Sequence, residues 1–202
     1  MTIANTDLAG FLYFTDRNNI ELIVKTLDFG DRILFFYGQL TNLRFTIRVL
    51  DTQTGIEKTY QNTAGDCGAI DNNLATSAGS FMVGDGPQLS TMAICQPSTN
   101  VACLLGGRYK LEVTWRNQFD GSSGNGRAIR LSDLTAAFSF TDPSNLELLV
   151  KTLDFGDHVL VLYGTLSNLE YHLTVTEVAS GRINTYNNAP GNYCGGLDTD
   201  AF

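Results

Sequence analysis

At 202 residues and 22.0 kDa the chain is long enough for one large or two small domains with buried cores. Apolar residues make up 43% and charged residues 17%, which excludes a disordered tail, and a net charge of −8 argues against nucleic-acid and anionic-membrane partners. Twenty glycines against four prolines, with 10% aromatics, favour strands and turns, and no apolar run reaches the roughly 18 to 20 residues of a membrane-spanning helix.

The first seven residues lack a basic region and a long apolar stretch, so no signal peptide is expected there. Residues 20–24 (Ile-Glu-Leu-Ile-Val) are rich in β-branched side chains and predict a strand. Asp28-Phe29-Gly30-Asp31 then reads as a turn, and 33–37 as a short apolar strand buried on both faces. Phe45, Ile47 and Val49 alternate with polar residues, and Gly55 marks the turn to the next strand.

This order of signals returns 126 residues later. Lys25 to Asp31 recurs identically as Lys151 to Asp157, Tyr37-Gly38 as Tyr163-Gly164, and Thr59-Tyr60 as Thr185-Tyr186. The register holds without a gap from 6–66 to 132–192, and nearly half the positions are identical. The second copy is preceded by 108–115, where Tyr109, Leu111, Val113 and Trp115 alternate with Arg108, Lys110, Glu112 and Thr114, a half-buried strand followed by a glycine-rich turn at 121–126. The first copy has no counterpart in the given sequence, so the missing strand is expected from another chain, from the linker around 80–83 or 92–94 folding back, or from a segment upstream.

The expectation is an all-β, antiparallel sandwich of immunoglobulin-like type with two related repeats, the first lacking its N-terminal strand. The expected boundaries are 1–71 for the incomplete repeat, 72–102 for a linker with a short strand around 80–83, and 103–202 for the complete repeat. One segment also fits a helix: Asp142-Pro143 followed by Leu146, Leu149, Val150 and Leu153 has an N-cap and i, i+3, i+4, i+7 spacing, as 16–28 does more weakly. As a strand it turns Leu146, Leu148 and Val150 inward and Glu147 and Lys151 outward.

Cys67, Cys95, Cys103 and Cys194 form no CxxC pair and lie near no histidine, so disulfides in an oxidising compartment are favoured over zinc. Four cysteines allow three pairings, and spacing alone does not choose among them. The two Asp-Phe-Gly triplets lack every other kinase signature and read as turns. Gly121-Ser122-Ser123-Gly124-Asn125-Gly126 has GxGxxG spacing without a following helix and reads as a hairpin loop. His158 and His172 align with Arg32 and Thr46, so no repeat-borne general base exists. Asp28, Asp31, Asp154 and Asp157 are thin as calcium ligands, two per turn, against solvated turn acids. No catalytic, cofactor-binding or metal residue is assigned.

Cys103-Leu104, Gly107-Arg108-Tyr109, Glu112-Val113-Thr114-Trp115-Arg116, Gly124-Asn125-Gly126-Arg127-Ala128 and Asp142-Pro143-Ser144-Asn145 carry a resemblance. So do Glu147-Leu148, Val150-Lys151, Leu153-Asp154, Tyr163-Gly164, Glu170-Tyr171, Leu173-Thr174-Val175-Thr176, Gly181 and Thr185-Tyr186. The chain from 95 to 202, and the first copy from Asp7, resembles a β-rich repeat module of unknown function found in secreted and surface proteins of bacteria. The resemblance implies an extracellular or cell-surface location, no catalytic residues, and a cysteine pair like Cys95–Cys103. Cys67 and Cys194 then pair with each other or between chains; the rival pairing is Cys67–Cys95 with Cys103–Cys194. The expected function is a non-catalytic structural or adhesive protein that assembles by strand addition into oligomers or filaments. The alternative is a ligand- or carbohydrate-binding accessory module of a secreted enzyme.

Overall fold

The computed structural model describes residues 8–30, 32–52, 55–63 and 94–202, with the backbone of two further strands at 2–5 and 69–74. Among them there are strands and turns and no helix. The strand expected around 80–83, Cys67 and Asp31 lie outside the described residues.

The first copy of the repeated sequence supplies β1 (Thr2–Asn5), β2 (Ala9–Leu12), β3 (Leu22–Asp28), β4 (Ile33–Gln39), β5 (Phe45–Leu50), β6 (Glu57–Asn62) and β7 (Ala69–Leu74). The region ahead of the second copy supplies β8 (Val101–Leu104), β9 (Tyr109–Arg116) and β10 (Ser123–Asn125). The second copy supplies β11 (Arg127–Arg130), β12 (Thr135–Ser139), β13 (Leu146–Asp154), β14 (Val159–Thr165), β15 (Glu170–Glu177), β16 (Ile183–Asn188) and β17 (Gly196–Asp198). The outer ends expected for the linker, 72 and 102, thus fall within β7 and β8.

All pairings between these strands are antiparallel. Sheets β1-β2-β3-β4-β7 and β11-β12-β13-β14-β17 have the same order. A third sheet runs β10-β9-β15-β16, with β8 beside the first half of β9 and β10 beside its second half. β5 and β6 form a two-stranded sheet.

The ambiguous segment is a strand. Asp142 accepts the Ser144 N–H at 2.7 Å, and Asp16 accepts the Asn18 N–H at 2.7 Å, so each acid closes a tight turn instead of capping a helix. The chain then extends into β13 and β3.

The second copy is a closed sandwich. Tyr109, Leu111 and Val113 from β9 and Tyr171, Leu173 and Val175 from β15 meet Phe138, Leu148, Val150 and Val161 across the core. Their alternate neighbours face out, as the period of two requires. β12 and β13 are buried on both faces, because the outer face of their sheet packs against the first copy. Ala137, Leu146, Leu149 and Leu166 meet Phe11, Ile20, Ile23, Phe36 and Leu40 there. Two glycines stand at this contact. A Cβ on Gly38 would stand 3.1 Å from Leu166 Cδ2, and one on Gly164 would stand 3.2 Å from Gln39 O.

Candidate functional site

Superposing the two copies by sequence register isolates one difference, at the face where β9 sits in the second copy. β15 pairs with β16 on one edge and β9 on the other. Among the described residues, β5 pairs only with β6, so no described strand lies along its other edge. The apolar side chains beneath change accordingly. Tyr171, Leu173 and Val175 are fully buried, whereas their equivalents Phe45, Ile47 and Val49 are only half-buried. Phe138 and Val150 are fully buried, whereas Leu12 and Val24 are partly exposed. Phe140 is 8% exposed, with Trp115 of β9 stacked on it at 6.0 Å; its equivalent Phe14 is 39% exposed and touches Phe45 at 5.7 Å. Leu12, Val24, Phe45, Ile47 and Val49 pack against the buried Leu22, Ile33, Phe35 and Tyr37 and remain partly exposed beside the edge of β5 that no described strand covers.

A second constellation lies between the copies. Glu147 and Lys151, expected to face outward, are each only 2% exposed, because the outer face of their sheet is covered by the other copy. Lys25 Nζ crosses into the second copy and donates to Asn145 Oδ1, Leu146 O and Leu166 O, each at 2.9 Å. Lys151 Nζ crosses the other way and donates to Asn19 Oδ1 at 2.8 Å, Ile20 O at 3.2 Å and Leu40 O at 2.6 Å. Every partner in one set is the residue 126 positions from its equivalent in the other, so this is a self-complementary, pseudo-two-fold contact.

Burial lowers both lysines to about 8, opposed by the charges of Glu147 for Lys25 and Glu21 for Lys151. Burial likewise raises Glu147 to about 7, opposed by the Phe140 N–H that it accepts at 2.6 Å. Asn145 Nδ2 donates to Glu147 Oε1 at 2.8 Å, which joins Lys25, Asn145 and Glu147 into one chain of contacts. The sequence held a signal for this: the same glutamate and lysine stand in both copies, two residues either side of an apolar position (Ile23, Leu149) on the supposedly solvent face.

Cys95 and Cys103 form a disulfide, with Cα atoms 5.6 Å apart, that ties the segment before β8 to β8. This rules out the pairing Cys67–Cys95 with Cys103–Cys194. Cys194 is also disulfide-bonded.

The remaining sequence candidates do not converge. Asp28 and Asp154 accept their own turns' Gly30 and Gly156 N–H groups, at 2.7 and 2.8 Å. Asp154 further pairs with Arg108, and Asp157 pairs with His158 at 2.7 Å. His172 faces solvent beside Asn187 Oδ1 at 2.6 Å. Residues 121–126 form the end of the β9–β10 hairpin, where Gly124 lies flat on Trp115. No cluster of metal-ligating side chains occurs among the described residues. A cleft of about 330 Å³ between the copies is walled by Gln39, Thr41, Asn42 and Tyr163, with one aromatic ring.

The fold and the site together define an all-β protein of several antiparallel sheets in which, among the described residues, β15 is paired on both edges and β5 on one. No family model, no curated protein and no solved structure matches the chain.

Proposed function

We propose that this chain is a non-catalytic, extracellular structural protein of immunoglobulin-like sandwich repeats, and that its first repeat works by accepting a β-strand. The observation that carries this reading is that, among the described residues, β5 is paired on one edge only and its apolar side chains are half-exposed, at the place where the second repeat holds β9. Strand addition satisfies the edge through main-chain hydrogen bonds and selects its donor by the side chains that fill alternate pockets. The fitting donor is an extended segment patterned like β9, with large apolar residues at every second position and an aromatic ring to cover Phe14. The disulfides favour an oxidising, extracellular setting.

The nature of the donor follows from burial. A second copy of this chain can give up its own β9 only by opening its second sandwich, so such an exchange moves the vacancy and gains no buried area. A donor that lowers the free energy is a strand from a polypeptide with no sandwich of its own to complete. Assembly into oligomers or filaments then depends on that separate donor. Phe29, Phe119 and Phe155 are exposed singly at hairpin turns rather than as a row on a sheet face, which gives a carbohydrate platform little support.

The test is a fluorescently labelled peptide with the sequence of residues 107–117, titrated with the full chain and read by anisotropy. Saturable binding is expected, lost with a scrambled peptide and with Ile47→Glu. The absence of saturable binding to the unaltered chain overturns the proposal.

A further inference from the structure

We propose that Lys25 and Asn145 become joined by an amide bond, a self-formed covalent cross-link between the two repeats, with Glu147 as the catalytic residue. The three side chains meet at 2.9 Å (Lys25 Nζ to Asn145 Oδ1) and 2.8 Å (Asn145 Nδ2 to Glu147 Oε1). A carbonyl bond of about 1.2 Å puts the amine within about 4 Å of Asn145 Cγ, a short rotation from the roughly 3 to 3.5 Å of an attacking pair.

The balance is complete without a co-reactant. A bond forms between Lys25 Nζ and Asn145 Cγ, the Cγ–Nδ2 bond breaks, and ammonia leaves; nothing is oxidised or reduced. One proton passes from Nζ to the departing Nδ2, and Glu147 carries it, since its carboxyl already touches Nδ2.

Three features of the setting favour the step. Lys25 and Glu147 are 2% exposed, so water is kept from the intermediate. Burial draws the amine down and the carboxyl up until their neutral forms are populated near neutral pH, which supplies both nucleophile and acid. A neutral amine has only two N–H bonds, which Leu146 O and Leu166 O accept, so its donation to Asn145 Oδ1 is given up on deprotonation and the amine is released to turn towards Cγ.

The pseudo-equivalent site lacks one element. Lys151 reaches Asn19, but Glu21 is occupied by the Phe14 and Thr15 N–H groups and the Thr15 hydroxyl, with no bond from the Asn19 amide. The cross-link is therefore assigned to Lys25 and Asn145, and Lys151 remains an ammonium held by carbonyls.

Intact-mass spectrometry of the reduced full chain tests this, followed by digestion and fragmentation. The expected mass is that of the sequence less one ammonia, with a branched peptide joining Lys25 to Asn145. Glu147→Gln, and independently Lys25→Arg, should restore the full sequence mass in a folded chain. A wild-type mass equal to the sequence overturns the proposal, and so does a loss of ammonia confined to one linear peptide, the mark of a succinimide at an asparagine.

Discussion

The two copies share nearly half their residues and the same sheet order, yet among the described residues β15 is paired on both edges and β5 on only one. The difference lies in the segment that precedes the second copy, where Cys95 to Asn125 supplies β8, β9 and β10. The repeated sequence encodes one sheet and a hairpin lying over part of it, and this is not a finished sandwich by itself. What completes it is a strand that comes from outside the repeated unit: in the second copy from the segment just before it, and in the first, on our reading, from another polypeptide. A sandwich face finished by an added strand is open to regulation by whether the donor is present.

The largest expected effect contrasts equivalent core positions. Leu173 is fully buried in β15 beside β9, so Leu173→Ala should cost about 3 kcal/mol in denaturant unfolding. The equivalent Ile47 already meets solvent, and Ile47→Ala should cost about 1 kcal/mol. Equal losses would break the comparison. Next comes the seam between the copies: Gly164→Ala forces a methyl to 3.2 Å from Gln39 O and should cost about 1 to 3 kcal/mol by thermal unfolding. If the variant is neutral, the two sheets do not pack this closely. Opening the staple beside β8 with Cys95→Ser and Cys103→Ser should cost about 2 to 3 kcal/mol. Hydrogen exchange should then rise in β8 and β9 while β3 and β4 stay unchanged.

A smaller, pH-dependent effect reports on the seam. Glu147 binds its proton more tightly folded than unfolded, 4.5 rising to about 7, so its contribution is present below 4.5 and is lost as pH rises to about 7. Lys151 binds its proton less tightly when folded, 10.5 falling to about 8, so stability is regained as pH rises from about 8 to 10.5. Urea unfolding across this range should show a minimum between these windows, and Lys151→Met should flatten the alkaline rise.

Much of this architecture is legible in the sequence, because alternation at 109–115 and at 171–176 reports a buried face directly. The strand-or-helix ambiguity at 142–154 persists in sequence because β13 is buried on both sides, which erases the alternation and leaves a continuous apolar run. Glu147 and Lys151 read as solvent-facing for the same reason: charged residues on an alternating face signal water unless another surface covers them. The covering surface is the other copy, and its carbonyls, Leu146 O and Leu166 O for Lys25, are backbone atoms that no residue pattern displays. The strand that pairs with β15 in the second copy was legible at 108–115. What that strand covers appears only when Phe14 and Phe140 are compared in place.

Amide hydrogen exchange across β5 and β15 tests the central claim most directly. The full chain alone should exchange the outward-facing amides of Phe45–Leu50 quickly, while those of Glu170–Glu177 stay protected by β9 and β16. Adding an excess of the 107–117 peptide should slow exchange in β5 and leave β15 unchanged. Protection of β5 equal to that of β15 without any peptide would show that the first sandwich is already closed, and would contradict the account.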